Sequence, residues 1–78
     1  MDRILGIMEE AAGYCEEIKY DSGEAKVSLR SRPIWYHFRI PVEAILDKNT
    51  SIDNYIGKTI SILRTPQGYL FRVLEEAV

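Results

Sequence analysis

Two periods of hydrophobic recurrence divide the chain. Near the N-terminus Ile4, Leu5, Met8, Ala11, Ala12 and Cys15 recur at helical spacing, while Glu9, Glu10, Glu16 and Glu17 fall largely elsewhere. This spacing predicts a helix over about residues 2–12. Gly13 is its expected stop, because glycine accepts the left-handed conformation that closes many helices. From Tyr14 the period changes to two. Tyr14, Ile18 and Tyr20 alternate with charged residues, Asp21 to Glu24 supply turn chemistry, and Ala25, Val27 and Leu29 alternate with Lys26, Ser28 and Arg30. A hairpin that pairs Tyr20 with Ala25 and Ile18 with Val27 puts every apolar side chain on one face. A slip of one residue would turn half of them to water.

The next segment, Leu29 to Ile40, obeys the same rule. Arg32 and Pro33 fall in the turn, since proline lacks the donor a central strand needs. Leu29 then opposes Tyr36, Val27 opposes Phe38 and Ala25 opposes Ile40, making an apolar inner face. The outer face follows: Arg30 across from Trp35, Ser28 from His37, and Lys26 from Arg39. Opposed side chains stand about 5 Å apart, which brings the Arg30 guanidinium within reach of the Trp35 ring.

Pro41 to Leu46 fits either one short helical turn or a continuing edge strand. Ser51 suits the cap of a short helix through Ile56, ending at Gly57, with Asp53 near its positive end. Lys58 to Arg64 and Tyr69 to Glu75 form a further hairpin around Thr65-Pro66-Gln67-Gly68, read as a type I turn. Its inner pairs are Ile60 with Val73 and Ile62 with Phe71, with Lys58 facing Glu75. The expected fold is therefore α+β: an N-terminal helix packed on a five-stranded antiparallel, strongly curled sheet. Strands of this length can curl into a small barrel of the SH3-like or OB-like kind, a comparison of architecture only.

Composition narrows the setting. A chain of 78 residues makes a single domain, because chains so short bury only about 60% of their unfolded surface and lack material for a second core. With 46% hydrophobic and 28% charged residues it reads as a folded chain. No apolar run approaches the roughly 20 residues of a membrane helix and no signal-like segment opens the chain, so a cytoplasmic protein without membrane contact is expected. Cys15 is the only cysteine; it forms no internal disulfide and has no second cysteine for a metal knuckle.

The charge pattern changes the picture further. Residues 1–24 carry seven acids against two bases, a net −5, and residues 43–78 carry five acids against four, a net −1. Residues 25–42 hold Lys26, Arg30, Arg32 and Arg39 with no acid, a net +4. The positive charge lies where the aromatics lie.

Complete catalytic or cofactor motifs are missing. Gly57-Lys58-Thr59 ends like a phosphate-binding P-loop, but the earlier glycine of that motif would fall at Ile52. Asp47, Asn49, Ser51 and Asp53 alternate like calcium ligands, yet the glycine and glutamate positions hold Ile52 and Lys58. Asn49-Thr50-Ser51 matches a glycosylation acceptor, without weight in a chain that shows no secretory signal. A Cys15–His37 nucleophile pair would place Cys15 opposite Arg30; a small, poorly reactive thiol at the core edge is the stronger reading. Adjacent glutamates such as Glu9-Glu10, Glu16-Glu17 and Glu75-Glu76 are solvated charges, since neighbours on a strand point to opposite faces.

What remains is the basic-aromatic face. Cations neutralise phosphates and release counterions, and aromatic rings stack on unpaired bases at about 1 to 3 kcal/mol each. Lys26, Arg30 and Arg39 supply the first, with Arg32 and Lys19 at the margins; Trp35 and His37 supply the second. A pI near 5.3 counts against this reading, as does Glu17, placed near Ser28 and diagonal to Arg30. The expected function is a small non-enzymatic binding module, without metal or cofactor, that takes single-stranded RNA or DNA on Lys26, Arg30, Arg32, Trp35, His37 and Arg39. The alternative is a protein interface, including a homodimer, built on the same residues.

Overall fold

A computed structural model describes residues 2–47 and 51–75. The Asn49-Thr50 portion of the calcium-like and glycosylation patterns, and Glu76, lie outside these residues. Six strands are present among the described residues: β1 (Asp2–Arg3), β2 (Glu10–Asp21), β3 (Glu24–Ser31), β4 (Ile34–Pro41), β5 (Thr59–Thr65) and β6 (Gly68–Glu75). They form one sheet in the order β1-β4-β3-β2-β5-β6, antiparallel except where β1 runs parallel to β4. The sheet does not close into a barrel, and no N-terminal helix packs on it. The architecture is β rather than the α+β expected from the sequence. No helix among the described residues is long and apolar enough to cross a membrane.

The absent helix has a local cause. Residues 10–14 use their backbone in a ladder with β5, Ala11 opposite Ile62 and Gly13 opposite Ile60, and residues 14–21 pair with β3. One long strand therefore serves two halves of the sheet. A bulge between Cys15 and Glu17 makes the inward step from Cys15 to Ile18 three residues instead of two, which imitates helical spacing. The bulge also puts Cys15 opposite Leu29 and Tyr14 opposite Arg30, correcting the expected Cys15–Arg30 pair.

The bend falls at the same place. A Cβ on Gly13 would lie 3.0 Å from the Arg30 carbonyl oxygen and 3.2 Å from the Leu29 Cβ, so a side chain there would force neighbouring strands apart. Glycine and bulge together fold the β4-β3-β2 half over the β2-β5-β6 half. Both inner faces then feed one core, with Val27, Leu29, Phe38, Ile40, Cys15, Ile60 and Ile62 all buried. Leu5, Ile45 and the 3-10 helix residue Ile52, all outside the strands, plug it where a helix was expected.

Elsewhere the period-two reading agrees with the structure. Every inner and outer pair of the β3–β4 hairpin is as the apolar pattern dictates, with Arg32 and Pro33 in the turn. Ile60 opposes Val73 and Ile62 opposes Phe71. An irregularity at Thr59 puts that residue, not Lys58, opposite Glu75. Pro41 to Leu46 contains a 3-10 turn, Val42–Ala44, and Ser51 caps a 3-10 helix, Ile52–Tyr55, by accepting the Asp53 N–H at 3.3 Å.

Candidate nucleic-acid interface

Across β2, β3 and β4 the outward side chains form four rows. Tyr14, Arg30 and Trp35 make the first, Glu17, Ser28 and His37 the second, Lys19, Lys26 and Arg39 the third, and Asp21, Glu24 and Pro41 the fourth, so two carboxylates flank the cations on the turn side. Neighbouring strands lie about 4.8 Å apart, so the third row sets three cations side by side. Like charges directly opposed on a sheet work against folding. Lys19 has Glu17 at 3.4 Å, an exposed pair of small worth. Among the described residues neither Lys26 nor Arg39 has an ion-pair partner, and Arg39 is exposed.

Arg30 stands apart from that row. Its guanidinium lies over the Tyr14 ring, 5.1 Å from the centroid, and its Nη1 is 3.1 Å from Glu16 Oε1. The sequence pointed to Trp35 as the ring partner and to Glu17 as the opposing acid. The bulge redirects both, because the extra residue brings Glu16 beside Arg30 while Glu17 turns to Lys19. Arg30 is thus largely neutralised. Trp35 is 47% exposed at the end of β4, beside the turn that carries the exposed Arg32. His37 is half-buried, and its Nδ1 shares a 2.8 Å hydrogen bond with the buried Ser28 hydroxyl, which fixes the ring and leaves Nε2 as its other polar atom.

The six residues singled out from the sequence thus share one face, in unequal roles. Lys26 and Arg39 are unneutralised, Trp35 offers a ring, His37 is held in place, Arg32 lies at the margin, and Arg30 is occupied by Glu16. Lys19 is the member that sequence reasoning left at the edge. Extending the Tyr20–Ala25 pair by one step sets it opposite Lys26, so the signal was present. Tyr14 and Glu16 carried no such signal.

Cys15 is removed from chemistry. Burial, with a further push from the Glu16 carboxylate, raises its thiol pKa to about 11 against a weaker opposing bond from the Glu17 N–H. Among the described residues no group of three or more His, Cys, Asp and Glu side chains is arranged to hold a metal ion. A cleft of about 780 Å³ at the far end of the β2–β3 hairpin gathers Glu24, Glu43 and Asp47 around Tyr20. The Tyr20 hydroxyl, which donates to Asp53 at 3.0 Å, has its pKa raised by burial and by that carboxylate. This negative charge lies at the turn end of the hairpin, away from Trp35 but next to the Lys19–Lys26–Arg39 row. No family model, curated protein or solved structure matches the chain.

Proposed function

We propose that the chain is a non-enzymatic module that binds single-stranded nucleic acid across the outer face of β2, β3 and β4. The observation that carries this reading is the row Lys19, Lys26 and Arg39 on the same face as the exposed Trp35. A phosphodiester chain crossing the strands meets three cations in succession, and its unpaired bases have an aromatic ring to stack on. The like-charge repulsion that the row stores in the free protein is relieved when phosphates arrive.

A protein interface on the same face is the competing reading, favoured by the exposure of Trp35. Its partner would have to be acidic. A second copy of the chain supplies that acidity only off the two-fold axis, where Glu17, Asp21 or Glu24 of one copy meets the cation row of the other.

Titration of the protein with single-stranded RNA and DNA oligonucleotides, followed by Trp35 fluorescence, separates the two. Quenching that weakens steeply with salt is expected. No change with either polymer at low salt would sink the proposal, and a dimer mass in sedimentation that Trp35→Ala converts to monomer would favour self-association instead.

A further inference from the structure

The sheet fails to close along one seam, between the β1/β4 edge and the β5–β6 hairpin. Two links lace this seam. At one end Arg64 Nη1 donates to the Leu5 carbonyl at 2.7 Å. At the other the Leu46 N–H donates to the Tyr69 carbonyl at 3.0 Å, beside an isolated parallel bridge between Ile45 and Tyr69. Between the links lies a cleft of about 590 Å³, a size that suits a small ligand.

Arginines stand on both of its walls. Arg39 and His37 come from the outer face of β4, where β1 covers the edge only at His37 and Phe38. Arg64 and Tyr69 come from the hairpin across the seam, and Arg3 from β1. Their commitments differ. Arg3 is paired with Glu9 at 3.1 Å, Arg64 gives Nη1 to Leu5 and lies over the Tyr69 ring, and Arg39 has no ion-pair partner among the described residues. A guanidinium has five N–H donors, so Arg64 keeps several for a ligand. Arg39 is also the last member of the Lys19–Lys26–Arg39 row, which therefore leads into the cleft.

We propose that this cleft binds the terminal phosphate of the nucleic-acid strand that lies on the outer face. The inference rests on the proposed function. The cation row leads into this cleft through Arg39, which brings the end of a chain guided by the row to a cleft that Arg64 also lines. A terminal monoester carries about −1.5 to −2 charge at neutral pH, against −1 for an internal diester, and arginines on two walls favour the more highly charged group. Asp2 and Glu24 also line the cleft. They repel a bare anion, but carboxylates accept hydrogen bonds from base amino groups such as cytosine N4. The site therefore selects a phosphate attached to its nucleotide over inorganic phosphate.

The test compares oligocytidine decamers carrying a 5′-phosphate, a 3′-phosphate or neither, by anisotropy at low salt. One phosphorylated form is expected to bind about ten-fold tighter than the unmodified decamer. Ile4→Glu adds a carboxylate at the cleft from a side chain that is 86% exposed, and should abolish the preference for the phosphorylated form. Arg64→Gln should abolish it too, with its melting temperature recorded because the Leu5 link is lost as well. Equal binding of all three decamers by the unaltered protein would overturn the terminal-phosphate inference and leave the nucleic-acid reading standing. Binding of none would overturn that reading and this inference with it. A preference undiminished in both variants would overturn the assignment to this cleft.

Discussion

Gly68 holds a backbone conformation and a contact that no other residue fits. Its φ is 149°, and a Cβ there would overlap the Ala44 carbonyl oxygen and lie 2.9 Å from Leu46 Cδ2. Gly68→Ala is expected to lower stability by about 2 to 4 kcal/mol, combining backbone strain with overpacking. Gly23 has φ of 80° but open space around it, so Gly23→Ala should lose only about 1 kcal/mol. Urea midpoints of the two variants check the difference; equal losses would mean that crowding against Ala44 contributes nothing. The turn at Thr65 to Gly68 was readable from its proline and glycine, but the segment that returns to press on Gly68 was not. Cys15 gives a second test at this scale. Its thiol is fully buried and titrates near 11, so it should resist thiol reagents at neutral pH until the protein is unfolded by urea. Prompt modification of the folded chain would refute its placement.

Strands were legible wherever one face is apolar and turns are short. In the β3–β4 hairpin, Ala25, Val27 and Leu29 against Ile40, Phe38 and Tyr36 admit one register, and the outer rows follow without further information. The second half of β2 was legible through Ile18–Val27 and Tyr20–Ala25, but its first half was not, because the bulge converts a period of two into a step of three and Gly13 marks a bend instead of a helix end. Packing at the N-terminus tests this. A helix there would bury Ile4, Leu5 and Met8 together, whereas Leu5 is 2% exposed and Ile4 86%. Leu5→Ala should therefore lower stability by about 2 to 4 kcal/mol, and Ile4→Ala by less than about 0.5 kcal/mol. Similar losses in denaturant unfolding would restore the helix. The cation row makes a prediction of opposite sign. Lys26→Thr removes the central charge of three and supplies a good strand former, so it should raise stability by a few tenths of a kcal/mol while weakening oligonucleotide binding. A variant that loses both stability and binding would argue that Lys26 is held for folding.

At the scale of the molecule, an acidic chain with a net charge of −2 and a pI near 5.3 presents a local cationic row, with Asp21 and Glu24 flanking it on the turn side. The protein measures 31 × 27 × 25 Å, and the acids Glu43, Asp47 and Asp53 gather around the Tyr20 end of the β2–β3 hairpin. At about 0.1 M salt the Debye length is roughly 10 Å, so a phosphate at Arg39 feels the row and its neighbours Glu24 and Asp2, and little of the remainder. At about 0.01 M it is roughly 30 Å, comparable to the whole molecule, and the net negative charge reaches the ligand. That balance could not be read from composition, which gives the sum of charges and not their separation. Three phosphate contacts with a single strand predict a slope of about −2 in log affinity against log salt at moderate ionic strength. Arg39→Gln should make the slope shallower by about 0.7, the share of one contact, and Arg30→Gln should leave it nearly unchanged because Glu16 already neutralises that side chain. The slope should also flatten toward the lowest salt, where the acids beyond Asp2, Asp21 and Glu24 are no longer screened. Affinity measured from low to moderate salt for the three proteins checks each point, and equal reductions in slope from Arg30→Gln and Arg39→Gln would mean that the Glu16 pair opens on binding and that the row has a fourth member.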